Sequence, residues 1–283
     1  MRFDLHVHTT ASDGTLTPAE LVRRAAASEL TAIAITDHDS VEGVPEALEA
    51  AASLVSSPVV IPGVELSAVH DGRDVHILGY FVRYADTDLQ GHLFDLRTAR
   101  INRARAIVDA LSAAGYELSH DDVMALSGGG AVGRSHVARA LVHRGHAADV
   151  SDAFKRLLGR GRPFYVPKDV RTPSEVLRVV LDAGGVPVLA HPAVTAVDDL
   201  IPSLVAEGLA GLEAYHSEHT AEDSARYAAL AAEYGLLVTG GTDYHGPTAP
   251  NPDLGAIEMP PAVLSTLFAA AGRTLPQLPL RAD

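Results

Sequence analysis

Short apolar segments alternate with helix-like segments through most of this chain, and this alternation limits the possible folds more than any other feature. Two of the helix-like segments begin with a capping box, Thr17-Pro18-Ala19-Glu20 and Thr172-Pro173-Ser174-Glu175. The predicted strands are residues 2–7, 31–36, 59–66, 75–82, 186–190, 211–215 and 236–240. Strands that alternate with helices favour a parallel sheet, and this many units in one chain of 283 residues favour an α/β barrel.

Residues 92–166 interrupt the alternation. They contain helical patterns at 96–114, 135–144 and 153–158 and no convincing strand, so we predict an inserted helical subdomain. The barrel domain then comprises residues 1–91 and 167–283. The segment 97–171 holds 13 Lys or Arg and 7 Asp or Glu, a net charge of +6, whereas the rest of the chain nets −20. A solvated helical surface would explain this basic segment, and so would a lid that binds an anionic substrate.

Composition excludes several classes of site. The chain has no cysteine, which rules out disulfides, thiolate zinc sites and a cysteine nucleophile, so any metal must be held by His, Asp or Glu. A net charge of −14 argues against a general nucleic-acid coat protein. The N-terminal residues lack the apolar run of a signal peptide, and no stretch approaches 18 apolar residues. We therefore expect a cytoplasmic protein without a membrane contact.

Histidines and carboxylates recur where predicted strands end. His6 and His8 are two residues apart on the first strand, a spacing that points both imidazoles to one face. The other strand-end residues are Asp13, Asp37, His38, Asp39, Glu65, His76, His191, His216, Asp243 and His245. Any one of these histidines alone is better explained by core packing or by capping of a strand. Together they would concentrate charge at great cost without cations, so we predict a cluster of Zn, Mn or Fe ions.

The motifs DLHVHTTASDG, AITDHD, PGVELS, AHP and GTDYH occur in this order along the chain, which resembles the PHP (polymerase and histidinol phosphatase) family of metal-dependent phosphoesterases. The resemblance implies a distorted seven-stranded (β/α) barrel, an α/β fold with two to three divalent ions at the C-terminal ends of its strands. It also implies the ligands: His6, His8, Glu65 and Asp243 for the first ion, Glu65 with His76 and His191 for the second, and Asp13, His38 and His245 for the third.

Within the family, the insertion resembles that of the branch that acts on nucleotides, through the segments 128–136 and 161–167. The resemblance implies hydrolysis of the 3′-phosphate of nucleoside 3′,5′-bisphosphates, of AMP, or 5′-to-3′ trimming of short RNA. The implied partners are a phosphorylated small molecule or short RNA, and no protein partner. A Gly-rich loop that enters a helix at Arg134 also forms an anion site on physical grounds. The predicted substrate contacts are Arg134, His136, Lys168, Arg171 and His216.

We expect hydrolysis of a phosphate monoester by water that the metal ions activate, with Asp37 and Asp39 orienting histidine ligands. Three alternatives stay open at this point. A histidinol-phosphate phosphatase would share the ligands but is disfavoured by the insertion. A metal-dependent amidohydrolase would also begin with HxH, although this chain has Glu65 where a central Lys is expected. A noncatalytic nucleic-acid-binding scaffold is disfavoured because it would not need every ligand.

Overall fold

Seven strands form one sheet that curves into a nearly closed barrel in the computed structural model, which describes residues 1–167, 171–247, 249 and 252–276. The strands are β1 (Phe3–Val7), β2 (Ala32–Ile35), β3 (Val59–His70), β4 (Arg73–Tyr80), β5 (Val186–Leu189), β6 (Gly211–His216) and β7 (Leu237–Gly241). They neighbour one another in chain order. A parallel bridge between Val7 and Tyr244 joins the two edges. The predicted α/β barrel is therefore confirmed.

The expectation of a wholly parallel sheet is wrong at β4. This strand is antiparallel to both β3 and β5, while the other neighbouring strands are parallel. The cause is the dipeptide Asp71-Gly72, whose φ angles of 48° and 69° form a tight turn. Asp-Gly in this left-handed backbone is a preferred two-residue hairpin connection, and a connection this short cannot cross over to a parallel neighbour.

Helices cover the outside of the barrel and form the segment between β4 and β5. They are α1 (Pro18–Ala27), α2 (Gly43–Ala52), α3 (Thr87–Ala113), α4 (His120–Ser127), α5 (Arg134–His143), α6 (Val150–Ala153), a π-helical turn (Phe154–Leu158), α7 (Pro173–Asp182), α8 (Pro192–Thr195), a 3₁₀ turn (Asp198–Leu200), α9 (Ile201–Ala206), α10 (Ala221–Tyr234) and α11 (Ala262–Ala270). Both predicted capping boxes are present, at Thr17 and at Thr172. No helix among these described segments is long and apolar enough to cross a membrane.

The barrel has an apolar layer on each side of its sheet. On β2, Ile33 and Ile35 pack with the helices outside, whereas Ala32 and Ala34 belong to an interior cluster that α11 completes. On β1 the register with β2 shifts between Asp4 and Val7, which marks a β-bulge. A bulge re-aims the side chains of its strand. Leu5 belongs to the interior cluster, whereas Val7, two residues further along the strand, belongs to the outer one.

The segment between β4 and β5 has an apolar cluster of its own. Buried residues of the second half of α3 and of α4, α5 and the π-helical turn form this cluster, among them Leu111, Val123, Leu141 and Leu158. The first half of α3 packs on the barrel through Leu89, Leu93 and Leu96. Helix α3 begins earlier than predicted because Asp86 caps it by accepting hydrogen bonds from the N–H groups of Asp88 and Leu89.

Candidate metal centre

The C-terminal ends of the parallel strands bring the predicted ligands together. His6 lies on β1 and His8 just after it, His38 follows β2, His191 follows β5, and Asp243 and His245 follow β7. Glu65 lies within the long strand β3. His76 comes from the reversed strand β4, where it is registered beside Ser67, two residues beyond Glu65 on the partner strand. The hairpin formed by β3 and β4 therefore supplies a predicted ligand that a seventh parallel strand would have placed elsewhere.

Glu65 is the central side chain of the cluster. Its Oε2 lies 2.8 Å from Nδ1 of His38, 3.3 Å from Nε2 of His6 and 3.4 Å from Nε2 of His8. Its Oε1 lies 2.7 Å from Nδ1 of His76 and 3.1 Å from Nε2 of His191. The side chain is 1% exposed. A buried carboxylate with imidazoles around each oxygen has the arrangement of a ligand that bridges two ions.

Four sets of side chains have ligand atoms close enough to share one ion, within 4.8 Å of one another. The sets are His6, His8, Glu65 and Asp243; His8, Asp13, His38 and His245; His38, Glu65 and His76; and His6, Glu213 and His216. His191 joins the set of His38, Glu65 and His76 through Glu65 and through a 3.3 Å contact between its Nε2 and Nδ1 of His76. The structure thus brings together all nine side chains predicted as ligands.

Buried polar atoms of this cluster approach one another without forming well-aligned hydrogen bonds. They include Nε2 of His6, Nε2 of His8, Oδ1 of Asp13, Nδ1 of His38 and Oε2 of Glu65. Leaving a buried polar atom unsatisfied costs about 1–3 kcal/mol, so five in one place need a common explanation. Imidazole nitrogens and carboxylate oxygens are the donors that Zn, Mn and Fe accept. The donor set therefore fits divalent metal ions.

The electrostatics of the cluster are those of a cation site. Burial would raise the pKa of Glu65, but the imidazoles of His38, His76 and His6 outweigh burial and hold this pKa well below its usual range. Burial would likewise lower the pKa of His245, yet Asp13 and Asp243 raise it to about 10. The carboxylates are thus ionised, and positive charge is stabilised among them.

Glu213 belongs to this cluster and was not predicted from the sequence. It is fully buried on β6; its Oε1 lies 2.9 Å from Nδ1 of His6, and its Oε2 accepts a 2.8 Å hydrogen bond from the backbone N–H of His191. A carboxylate on the far nitrogen of a histidine fixes the ring and raises its basicity as a ligand. The signal that could have found it is an acidic residue within the otherwise apolar strand Gly-Leu-Glu-Ala-Tyr.

Buried aspartates hold the loops that carry the ligands. Asp37 accepts hydrogen bonds from the backbone and hydroxyl of Thr9 and from the hydroxyl of Ser12, which fixes the loop between His8 and Asp13. Asp39 accepts from the backbone N–H of Ser67 and from Arg100 of α3. Asp37 and Asp39 thus bond to backbone, hydroxyl and guanidinium groups rather than to the imidazole rings that they were expected to orient.

His216 is better suited to donate a hydrogen bond than to bind metal. Its Nδ1 accepts a 3.1 Å hydrogen bond from the N–H of Glu218, so in the neutral ring the proton is on Nε2. That Nε2 is buried and lies 3.9 Å from Oδ2 of Asp243. Burial lowers the pKa of His216 to about 4, which keeps the ring neutral near pH 7. His216 therefore directs an N–H donor toward the cluster.

The remaining predicted substrate contacts have different surroundings. The guanidinium of Arg134 donates to Oδ2 of Asp74 at 2.8 Å. His136 is 1% exposed, and its Nδ1 accepts from the N–H of Gly133 at the start of α5. Arg171 contacts His92 and Asp95 of α3. Lys168 lies outside the described residues.

A second arginine lies beside Arg134 and was not predicted. Arg103 of α3 and Arg134 of α5 both pack against the ring of Tyr165, with guanidinium carbons 5.6 and 5.5 Å from the ring centroid. Nη2 of Arg103 is buried without a hydrogen-bond partner. Burial and the neighbouring Arg134 lower the pKa of Arg103 to about 10. We refer to Arg103, Arg134 and Tyr165 as the arginine pair site.

A barrel of this topology with His and carboxylate ligands on its C-terminal rim defines a metal-dependent enzyme of the α/β-barrel class. The profile of the PHP domain matches residues 4–162, and the chain belongs to the PHP family. The prediction made from the motifs is therefore confirmed.

Two relatives and one crystal structure show how similar the chain is to known members. It is 34% identical over 250 residues to the 5′-3′ exoribonuclease Rnm of Salmonella typhimurium, covering 87% of this chain and 85% of that protein. It is 34% identical over 265 residues to the 3′,5′-nucleoside bisphosphate phosphatase of Chromobacterium violaceum, covering 91% and 92%. A crystal structure from Bifidobacterium adolescentis, provisionally named a metal-dependent phosphoesterase, superposes with a TM-score of 0.87 at 33% identity over 94% and 95% of the two chains.

Proposed function

We propose that this protein is a metal-dependent phosphoesterase that hydrolyses phosphate monoesters of nucleotides, and that its main substrates are nucleoside 3′,5′-bisphosphates, from which it removes the 3′-phosphate. The observation that carries the proposal is Glu65 with an imidazole cluster on each of its two oxygens. The names of the two relatives support a nucleotide or RNA substrate.

The proposed ligands are the nine strand-end side chains, which would hold two to three ions of Mn, Zn or Fe. His6, His8, Glu65 and Asp243 form the first set; His76, His191 and Glu65 the second; Asp13, His38 and His245, with His8 at its edge, the third. Such ions, when bound, activate water and neutralise charge on the phosphoryl oxygens.

The protein's own residues contribute orientation and hydrogen bonding. Glu213 holds His6 with Nε2 facing the cluster, and Asp37 keeps the loop that ends at Asp13 in place. His216 directs its N–H at the same space, where a phosphoryl or leaving-group oxygen would accept it. Donors placed in advance where charge develops lower the barrier of a hydrolysis more than donors that must reorganise.

The arginine pair site supports a substrate with a second phosphate. Asp74, which accepts from Arg134, precedes His76 by two residues on β4, so both side chains face the same side of the hairpin. Two residues span about 6.6 Å along a strand, a spacing that supports a second phosphate bound by the arginine pair on the side of the hairpin that carries His76. Arginines bind phosphate through paired N–H groups, and the buried Nη2 of Arg103 has a donor to offer.

The proposal is tested by assaying the purified protein with Mn²⁺ against adenosine 3′,5′-bisphosphate, AMP, histidinol phosphate, a 5′-phosphorylated oligoribonucleotide and an amide library. We expect the highest kcat/KM for the bisphosphate. His8→Ala and Asp243→Ala should lose at least about 100-fold in kcat while remaining folded, because each removes a ligand. Full phosphatase activity in metal-depleted variants would refute the mechanism, and a preference for histidinol phosphate or for amides would refute the nucleotide assignment.

The second phosphate is tested separately with Arg103→Met. This variant should lose about 10-fold or more in kcat/KM for the bisphosphate and retain its activity on p-nitrophenyl phosphate, which has a single phosphate. Arg105→Met, on the exposed side of the same helix, is the matched control. Equal losses on both substrates would show that Arg103 supports the fold rather than the second phosphate.

A further inference from the structure

The helical segment, by which we mean α3 to α6 and the π-helical turn, contacts one of the predicted ligands directly. The hydroxyl of Ser135, in the first turn of α5, donates a 2.7 Å hydrogen bond to Oδ2 of Asp13. The other oxygen, Oδ1, is buried without a hydrogen-bond partner and lies 3.2 Å from Nε2 of His245. Ser135 therefore occupies one oxygen of Asp13 and directs the other toward the set of His8, Asp13, His38 and His245, which we call the third set.

The backbone next to Asp13 is also held from this segment. The N–H of Ala131 donates a 3.0 Å hydrogen bond to the carbonyl of Ala11. A Cβ at Gly130 would lie only 2.4 Å from the carbonyl oxygen of Thr10. The loop before α5 and the loop that carries Asp13 are thus in backbone contact, and only a residue without a side chain fits between them.

A second contact reaches the opposite side of the third set. Arg100 of α3 pairs with the buried carboxylate of Asp39, the residue after His38, and donates a 2.8 Å hydrogen bond to the hydroxyl of Ser67. Asp39 has a φ of 48°, a left-handed backbone that needs support from its surroundings. Arg100 supplies such support beside His38.

The residues of the first set are held in position by residues of the barrel instead. Glu213 on β6 holds both the ring of His6 and the backbone of His191. Thr242, beside Asp243, is held by Asp4 of β1, which accepts from both its N–H and its hydroxyl. The contacts of Glu213 and of Asp4 involve no residue of the segment between β4 and β5.

We propose that Ser135 and Arg100 are positioning residues that make metal binding at the third set depend on how the helical segment docks on the barrel, while the ion at the first set binds independently of it. This inference rests on the proposed metal centre. By linkage, an ion at the third set also stabilises the docked position of the segment.

The test is metal binding rather than turnover. Mn²⁺ is titrated into metal-free wild type, Ser135→Ala and Ser135→Thr by calorimetry, and bound metal is counted by elemental analysis after gel filtration. We expect Ser135→Ala to weaken one ion by about 10-fold, the loss typical when a group that orients a ligand is removed, and to leave the ion at the first set unchanged. Ser135→Thr keeps the hydroxyl and should restore binding to within about twofold.

Two further variants complete the design. Arg100→Lys should weaken the same ion, because a lysine cannot reach Asp39 and Ser67 together. Ser265→Ala is the control, since this exposed hydroxyl of α11 only bonds the carbonyl of Ala262 in its own helix. Thermal midpoints of the metal-free variants within about 2 °C of wild type show that the fold is intact.

The outcomes separate the two proposals. A wild type that binds no metal would refute the proposed centre and the inference with it. A wild type that binds metal and hydrolyses phosphate esters, together with a Ser135→Ala variant that binds every ion as tightly, would refute the inference alone. A uniform weakening of all ions in Ser135→Ala would also refute it, because the dependence would not be confined to the third set.

Discussion

Glu213 holds the ring of His6 through the 2.9 Å contact between Oε1 and Nδ1, which leaves Nε2 of His6 as the atom that faces the cluster. Glu213→Gln keeps the shape of this side chain but removes its charge. We predict that the variant binds its first ion about 10- to 100-fold more weakly, measured by Mn²⁺ titration followed by electron paramagnetic resonance. Glu233→Gln, at an exposed position on α10, is the control. Unchanged affinity would mean that the charge of Glu213 is not needed by His6.

The proposed ligands could be named from the sequence because most of them lie next to a recognisable strand and because the motifs resemble those of the PHP family. Glu213 and Asp4 were missed as supporting residues for a physical reason. A carboxylate inside a strand can face solvent, a helix or an imidazole, and only the packed barrel shows that Glu213 meets His6. The β-bulge on β1 also leaves no signal in a single sequence.

Protonation of His136 makes the free energy of unfolding depend on pH. Burial lowers its pKa from 6.5 to about 4 in the folded protein. Below pH 6.5 the unfolded chain binds a proton at this histidine that the folded protein does not bind. The free energy of unfolding therefore decreases as the pH falls, by about 2 kcal/mol at pH 5. Urea unfolding with a chelator present should show that His136→Gln, which does not titrate, loses less stability than wild type between pH 7.5 and pH 5.

A glutamine at this third helical position can still bond the N–H of Gly133, so the cap is retained. The same substitution at the exposed His143 of α5 gives the background for replacing a histidine in this helix. Parallel loss of stability in wild type and His136→Gln would contradict the assignment of the pH effect to His136.

At the scale of elements, the close approach of β7 to β1 depends on Gly241. A Cβ there would lie 2.5 Å from both Cβ and N of His6. Because the backbone cannot yield cheaply, we predict that Gly241→Ala lowers the free energy of unfolding by about 3 kcal/mol and also weakens metal binding. Gly91→Ala on helix α3 is the matched control with the opposite sign, since a Cβ at Gly91 would meet no atom within 4 Å and alanine favours a helix by about 1 kcal/mol.

Equilibrium unfolding of the metal-free variants measures both effects. An unaltered stability in Gly241→Ala would show that the two strands separate without cost.

The sequence reveals which elements form more readily than it reveals the distances between them. Capping boxes and strand-like runs were sufficient to predict the seven strands and helices α1 and α7, but α4, α8, α9 and α11 were not predicted. The distance between β1 and β7 depends on contacts between residues more than 200 positions apart.

The direction of β4 was predicted wrongly although a local signal existed. Asp71-Gly72 between two apolar runs indicates a hairpin, and the rule that alternating strands and helices run parallel does not apply to two strands joined without a helix. The strand itself and its histidine were predicted. The resemblance already implied that His76 and Glu65 bind one ion. What the sequence did not show is that a reversed strand brings Nδ1 of His76 to 2.7 Å from Oε1 of Glu65.

At the scale of the whole molecule, separate apolar clusters indicate separate cooperative units. Leu141 belongs to the cluster of the helical segment, and Ile33 to that between the barrel and its helices. We predict that in native-state hydrogen exchange the amides around Leu141 open at a lower free energy than those around Ile33, because the helical cluster is smaller and its contacts are more local. A single opening free energy for both regions would contradict the division of the chain into a barrel and an inserted subdomain.

The charge pattern predicted an anion-binding role for the segment, but it did not identify the pair of Arg103 and Arg134. Charge counts along a chain do not show which cations are buried together. Tyr165 unites these two side chains from helices about 30 residues apart in sequence, and only the tertiary structure places them near β4.

Arg171 contacts both His92 and Asp95 where helix α3 leaves the barrel, so the outgoing and returning chain meet at one place. A segment whose two ends lie together can be exchanged for another without pulling its host apart. Chimeras between relatives, joined near these residues, would keep the barrel's chemistry and receive a new substrate preference. Gene recombination at this junction would then change the phosphorylated substrate of such a barrel in a single step.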